Sequence, residues 1–280
     1  MPTNMSSHDR VVAVLQHRPP GVIPYYEVFM DSSAERKFLG DLSGLSPLER
    51  NLRTAEALDN DIVGVSADFF RSKLVEQREN HEVRRSEIGT VVRQQFRPSF
   101  ETRLEYPIER EEDLERFRLP DPDEPERYSA AKEALPLFLD RGYFIQGRIG
   151  GFYTGVWYHL RAVEAFWEDL AIRPAFAERL LTTVGEFNLR VAENLLKLGA
   201  HCIQISEDMG MTAGPFFSPA MYRRFFFPWH QRLADLCHSH NGYFHMHSHG
   251  NIMLLLDAIV ETGVDILNPV GPGDNMDLRQ

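Results

Sequence analysis

The sequence predicts an α/β fold of the barrel type, in which parallel strands alternate with helices. Apolar runs of strand length recur along the chain, separated by longer segments with helical spacing of apolar residues. Polar residues follow several of these runs, and a barrel carries its chemistry at the carboxyl ends of its strands. A doubly wound open sheet is the alternative. It is disfavoured because Gly147, Gly150 and Gly151 are too loosely spaced for a glycine-rich phosphate loop.

Six segments have the length and composition of parallel strands. They are residues 22–29, 61–66, 143–148, 202–206, the histidine-bearing stretch from residue 242, and 264–267. Pro24 weakens the first, because proline cannot donate to a strand ladder. Helices are predicted for residues 6–17, 47–58, 126–140, 219–239 and 252–262, with two or three more between 153 and 199. Pro47 starts one of them and Gly199 ends another.

Residues 71–106 depart from this alternation. Apolar and charged residues alternate on both sides of a turn signal at residues 87–90, which predicts a small antiparallel hairpin inserted in the barrel. A closed barrel has eight strands, so six strands predict one TIM-type (β/α)8 domain over residues 1–280 that is incomplete at its C-terminus. The strand edges of an incomplete barrel favour self-association, and a homodimer is therefore expected.

Composition excludes several classes of partner. The 280 residues carry a formal charge of −11 and contain no basic block, which disfavours nucleic acids and anionic membranes. No apolar run reaches membrane-spanning length, and residues 1–10 lack the apolar core of a secretory signal. The two cysteines, Cys202 and Cys237, lie in different predicted elements, which suits a reducing cytoplasm.

Three histidines recur at two-residue spacing at the end of the fifth predicted strand. His245, His247 and His249 share one face if the strand stays extended, and Gly250 follows them. Three imidazoles in this arrangement can converge on one metal ion or one anion. The alternative is three histidines that are separately hydrogen-bonded in a polar pocket.

Other polar residues follow other predicted strands. Asp68 follows the second strand, Arg148 the third, and Glu207 and Asp208 the fourth. Paired carboxylates can ligate metal or act as a general base, whereas Arg148 can hold a substrate carboxylate or phosphate. Helix capping and structural salt bridges are the alternatives. Tyr153 lies in an aromatic loop that lines either a substrate pocket or the core.

Several stretches resemble the uroporphyrinogen decarboxylase superfamily, which contains decarboxylases and zinc-dependent methyltransferases that act on corrinoid-bound methyl groups. In chain order they are residues 10–18 with 22–24, Asp61-Ile-Val-Gly-Val-Ser-Ala-Asp68, Leu198-Gly-Ala-His-Cys-Ile-Gln-Ile-Ser-Glu-Asp208, Phe217-Ser-Pro219 with Phe227-Pro228, His247-Ser-His249-Gly-Asn-Ile252, and Glu261-Thr-Gly-Val-Asp265. The matches run in order over most of the chain. The resemblance implies a TIM-type barrel.

The methyltransferase branch implies a zinc site on the histidine strand. Its motif there reads His-x-Cys-Gly, and both side chains bind zinc. His247 matches the family histidine, whereas His249 stands at the cysteine position. Imidazole is also a zinc ligand, so His247 and His249 are the expected metal ligands. His245, deeper in the strand, is expected to contact substrate.

The decarboxylase branch implies a pair of arginines after the first strand, which clamp a polycarboxylate substrate. The corresponding segment holds Arg36 alone, beside Glu35. Asp68 matches the strand-two aspartate of that branch. The missing arginine disfavours decarboxylation of a tetrapyrrole without excluding it.

The favoured hypothesis is therefore a methyltransferase that moves a methyl group to a thiol or similar small-molecule acceptor. A methylated corrinoid, usually carried on a separate protein, is the implied donor. Asp68, Glu207 and Asp208 are the candidate catalytic residues. A tetrapyrrole decarboxylase and a non-catalytic binding protein are the alternatives.

Overall fold

The computed structural model describes residues 5–27, 37, 39–41, 44–277 and 279. Its strands are β1 (Ile62–Ser66), β2 (Ser72–Gln77), β3 (His81–Ser86), β4 (Val91–Phe96), β5 (Ser99–Glu105), β6 (Phe144–Arg148), β7 (Cys202–Ser206), β8 (Gly210–Met211), β9 (Gly214–Pro215), β10 (Tyr243–His247) and β11 (Ile266–Asn268). Five of them form a parallel sheet in the order β1-β6-β7-β10-β11. The predicted α/β class is confirmed.

Helices connect the parallel strands. They are α1 (Ser7–Leu15), α2 (Pro47–Ala57), α3 (Glu111–Arg116), α4 (Ser129–Asp140), α5 (Phe152–His159), α6 (Val163–Ile172), α7 (Pro174–Leu198), α8 (Pro219–Phe225), α9 (Phe227–Ser239) and α10 (Leu256–Glu261). The longest, α7, starts at Pro174 and ends at Gly199, whose positive φ suits glycine. None of the helices described is long and apolar enough to cross a membrane.

The two faces of the parallel sheet differ in polarity. One face is apolar and packs against α4, α7 and α9. The strand register places polar side chains on the other face, at residues Ser66, Gln146, Arg148, Gln204, Ser206, His245 and His247. Apart from its amino-terminal end, the polar face is not the one that packs against α4, α7 and α9, so it is available for binding.

Helix α1 covers the amino-terminal end of the polar face. Val11 packs with Phe144 and Cys202, at the start of β6 and β7. The Arg10 guanidinium forms an ion pair with Asp61, which directly precedes β1. The polar face is therefore closed at this end, and a ligand reaches it from the carboxyl ends of the strands.

The first predicted strand is not formed over residues 22–27, and residues 28 and 29 lie outside the described part of the chain. Tyr25 nonetheless runs beside β1, because its N–H donates to an Asp61 carboxylate oxygen at 2.8 Å. Pro24 interrupts the ladder that a strand would need. The described sheet therefore has five strands where six were predicted. Closure into a barrel and C-terminal truncation stay predictions.

The segment predicted as a hairpin folds instead as a four-stranded antiparallel sheet, in the order β2-β3-β4-β5. The predicted turn at residues 87–90 joins β3 to β4. A further turn is closed by Arg78 N–H donating to His81 carbonyl at 2.8 Å, without a glycine. The sequence gives little signal for such a turn, and the prediction therefore missed two strands.

Candidate functional site

A cavity of about 280 Å³ opens at the carboxyl ends of β6, β7 and β10, and we refer to it as the strand-end cavity. Its wall includes Gly150, Gly151, His159, Asp208 and His247. The loop after β6 approaches closely because Gly151 has no side chain. A Cβ there would lie 2.3 Å from the Ser206 carbonyl oxygen. Glycine at this position is what keeps the loop against the sheet.

Asp208 and His247 form a pair in this cavity. His247 Nε2 lies 3.4 Å from Asp208 Oδ1, and the same oxygen accepts the His249 N–H at 3.0 Å. The His247 contact holds the pKa of Asp208 below its ordinary value. Asp208 has a left-handed backbone with φ of 42°, which turns its side chain away from the strand direction. This pair joins two of the residues predicted from the sequence.

His245 lies deeper on the polar face, within a row of hydrogen-bonding side chains. Its Nδ1 lies 2.9 Å from Gln146 Oε1 and its Nε2 lies 2.6 Å from Asn268 Oδ1. Burial lowers the pKa of His245 to about 4, so the ring is neutral near pH 7. A neutral imidazole donates only once, so one of the two amides must present its NH2 group. His245 is thus held in a fixed orientation by two amide side chains.

Arg148 also lies on the polar face. Its Nη2 donates to the Tyr26 hydroxyl, while its buried Nε has no hydrogen-bond partner in the described structure. The guanidinium rests on Gly64, where a Cβ would lie 2.5 Å from Nε. Arg148 borders a separate cavity of about 360 Å³ next to β1. Arg148 thus lies outside the wall of the strand-end cavity, and its predicted role in binding an anionic group stays a prediction.

Glu207 is fully buried, unlike its neighbour Asp208. Its carboxylate accepts the N–H groups of Phe152, Tyr153 and Thr154 at the start of α5, at 2.8 to 3.2 Å. His230 Nε2 lies 2.8 Å from the same carboxylate. Through these contacts the carboxylate holds the N-terminus of α5 in place. It therefore does not reach the strand-end cavity. The catalytic role predicted for Glu207 therefore does not fit its position.

Asp68 and Tyr153 also lie away from the cavity. The Asp68 side chain is 64% exposed and pairs with Arg71 at 2.7 Å. The chain turns outward after Ser66 to enter the antiparallel sheet, which carries Asp68 with it. Tyr153 is buried in the core, where its hydroxyl accepts the Trp167 indole N–H at 2.9 Å. The predicted catalytic and substrate-binding roles of these two residues are therefore not supported by their positions.

The two predicted zinc ligands, His247 and His249, face different carboxylates. The His249 side chain is 64% exposed and its Nε2 lies 3.5 Å from Asp274 Oδ2, whereas His247 faces Asp208. Among the described residues, no group of three His, Cys, Asp or Glu side chains is arranged to hold a metal ion. His247 and Asp208 are two donors of the right chemistry, but they do not make a complete zinc site.

Sequence reasoning missed His159, Tyr26, Gln146 and Asn268. Gln146 had a detectable signal, since it alternates with Arg148 in an otherwise apolar strand. His159 and Asn268 had no such signal in the sequence, because their positions at the site depend on how the helix and the strand that carry them pack. The two cysteines are buried in the core, outside the cavity walls.

The comparisons with known proteins agree with this architecture. The sequence model of the uroporphyrinogen decarboxylase (URO-D) family matches residues 92–278. A methyltransferase from Methanosarcina mazei has a similar structure, with a TM-score of 0.68 and 17% sequence identity. The alignment covers 98% of this chain and 80% of that protein. Comparison with curated proteins gives no match. At such low identity the structural likeness shows the fold, whereas the family match spans more than half of the chain: the chain belongs to the uroporphyrinogen decarboxylase family.

Proposed function

We propose that this chain is an enzyme that transfers a methyl group to a small-molecule acceptor, such as a thiol, bound in the strand-end cavity. The observation that carries the proposal is the contact between His247 and Asp208 at the carboxyl end of the sheet. Family membership and the name of the Methanosarcina mazei protein, a methyltransferase, support the same reaction class. A methylated corrinoid on a separate protein is the proposed donor.

His247 is proposed to be the general base. In this proposal, substrate binding brings the His247 Nε2–H into a hydrogen bond with Asp208 Oδ1, which lies 3.4 Å away, and the Nδ1 lone pair then takes a proton from the acceptor. The ionised Asp208 then stabilises the imidazolium that forms. The acceptor thiolate attacks the methyl carbon of the donor, and the electron pair of the broken bond stays with the donor. The Gly150–Gly151 loop leaves room for the acceptor beside the sheet.

Zinc binding is an alternative role for His247, which would then be a metal ligand and not the general base, and this proposal comes from the family resemblance. His247 and Asp208 would be its donors from this part of the chain, and zinc would lower the pKa of the acceptor thiol. Metal analysis of the protein, followed by zinc titration of the wild type and His247→Ala, tests the idea. Stoichiometric zinc that is lost in His247→Ala supports it, and a protein that gains no zinc on titration contradicts it.

Decarboxylation of a tetrapyrrole is the second candidate. The observation that favours it is Arg148, whose guanidinium keeps an unpartnered Nε next to a cavity of about 360 Å³. Arg50 also lines this cavity, and two arginines would still leave several carboxylates of a tetrapyrrole substrate unpaired, so we rank this function below methyl transfer. Arg36 lies outside the described residues.

An assay of both reactions with one protein preparation tests the assignment. We expect methyl transfer from methylcobalamin to a thiol, and no release of carbon dioxide from uroporphyrinogen. Asp208→Asn should lower kcat for methyl transfer about tenfold or more, because the amide no longer stabilises the imidazolium. Carbon dioxide release that survives Asp208→Asn but is lost in Arg148→Gln would instead establish the decarboxylase.

A further inference from the structure

A second cavity, of about 270 Å³, lies between the antiparallel sheet and the C-terminal end of α5, and we refer to it as the sheet cavity. Tyr158 and His159 belong to the walls of both this cavity and the strand-end cavity. The two cavities therefore adjoin each other at Tyr158 and His159. The chemistry proposed at His247 makes no use of the sheet cavity.

One face of the antiparallel sheet forms the opposite wall. The register aligns Arg84 on β3 with Val92 on β4, and Val92 with Arg103 on β5. The adjoining row contains Glu82, Gln94 and Glu101, which alternation places on the same face. A sheet face that serves only to pack a core is apolar. This face is instead lined by charged and amide groups.

Arg103 is the most enclosed charge in this cavity. Its guanidinium carbon lies 3.9 Å from the centre of the Tyr158 ring, and its Nε donates to the Tyr158 carbonyl at 3.0 Å. The Arg103 side chain is 13% exposed, whereas its ion-pair partner Glu101 is 52% exposed and 3.6 Å away. The guanidinium is thus fixed in place while its charge is only weakly compensated.

His159 is the second group with unused binding capacity. Its ring packs on Phe70 at 4.4 Å between centroids, and burial lowers its pKa to about 4. No hydrogen bond to either ring nitrogen of His159 is formed within the described part of the chain. A neutral imidazole can donate once and accept once. His159 therefore offers both functions at the junction of the two cavities.

We propose that the sheet cavity is a second substrate subsite, which holds the carboxylate end of an elongated substrate whose reactive end lies at His247. Arg103 pairs with the carboxylate and displaces Glu101, which turns to solvent. His159 lies between the two ends of the substrate, in the walls of both cavities. The acceptor class for the proposed function is therefore an elongated thiol that ends in a carboxylate. This inference rests on the proposed function only for the position of the reactive end.

Calorimetric titration without a methyl donor tests the subsite independently of turnover. The probes are mercaptohexanoate and mercaptohexanol, which differ only in the terminal group. We expect the carboxylate to bind at least tenfold more tightly than the alcohol. Arg103→Gln should abolish this preference. The matched control is Arg93→Gln on β4, where an exposed arginine on the opposite face of the sheet undergoes the same change. The control should keep the preference.

Glu101→Gln provides a test in the opposite direction. Removal of the competing carboxylate should strengthen mercaptohexanoate binding severalfold, a gain that loss of folding cannot mimic. His247→Gln should leave the preference for the carboxylate unchanged, even though it abolishes methyl transfer. Equal binding of the two probes by the wild type overturns the subsite. An equal effect of Arg103→Gln and Arg93→Gln on the preference for the carboxylate also overturns the subsite.

Discussion

His245 shows how a polar sheet face is made compatible with folding. Gln146 and Asn268 satisfy its two ring nitrogens, and Tyr26 in turn receives the Gln146 NH2 at 3.4 Å. Without such partners, the loss of hydration of a buried imidazole would destabilise the fold more than the burial of its ring stabilises it. The row therefore keeps a neutral histidine in place beneath the pair formed by His247 and Asp208.

The low pKa of His245 makes folding stability depend on pH. Its folded pKa of about 4 lies below the ordinary value of 6.5, so the unfolded chain takes up the proton first as the pH falls. Stability is therefore fully present above pH 6.5 and is lost between pH 6.5 and 4. We expect His245 to contribute about 2 kcal/mol to the loss between pH 7 and pH 5.

Urea unfolding of His245→Gln at both pH values checks this contribution. The variant should lose about 2 kcal/mol less than the wild type on going from pH 7 to pH 5. His249→Gln, at a largely exposed histidine, is the control and should follow the wild type. Identical losses in all three proteins would show that folding does not lower the pKa of His245.

At the level of elements, helix α5 is positioned by a single buried carboxylate. Glu207 accepts three N–H groups from its first turn, and His230 bridges the carboxylate to the Tyr222 hydroxyl at 2.9 Å. The negative charge lies at the positive end of the helix dipole. This arrangement fixes the Gly150–Gly151 loop and therefore the wall of the strand-end cavity.

Glu207→Gln should destabilise the protein more than Asp208→Asn, which also replaces a carboxylate by an amide. The amide directs an NH2 group at backbone N–H donors, so we expect a loss of about 3 kcal/mol. Asp208→Asn should change stability by less than about 1 kcal/mol, since Asp208 is partly exposed. Thermal unfolding followed by circular dichroism compares the two variants. A smaller effect at Glu207 than at Asp208 would refute the assigned positions.

This pair of carboxylates also shows what sequence could and could not predict. The apolar runs located β1, β6, β7 and β10, because period and composition are local properties. The strand-end cavity therefore lies where the sequence predicted the site, and the roles of its residues stay predictions. The sequence could not tell Glu207 from Asp208, because their directions depend on the positive φ of Asp208. It likewise could not show that His249 turns to Asp274, since the strand ends at His247.

At the scale of the whole molecule, the described part of the chain leaves apolar side chains exposed beside β1. Val22 is 69% exposed and Ile23 is 84% exposed. Exposed apolar side chains favour self-association, and on this ground we continue to expect a homodimer. Sedimentation velocity should show a dimer at micromolar concentration, and Ile23→Lys should shift it toward monomer. A wild-type protein that stays monomeric contradicts this prediction.

The central claim is that His247, paired with Asp208, is the reactive centre and that His249 is not. The most direct measurement is kcat/KM for methyl transfer from methylcobalamin to a thiol, for the wild type, His247→Gln and His249→Gln. The same chemical change is made two residues apart, at side chains that are 17% and 64% exposed. We predict a loss of about 100-fold or more in His247→Gln and less than about threefold in His249→Gln. Equal losses in the two variants would contradict the account, because they would indicate that both histidines act in one shared site.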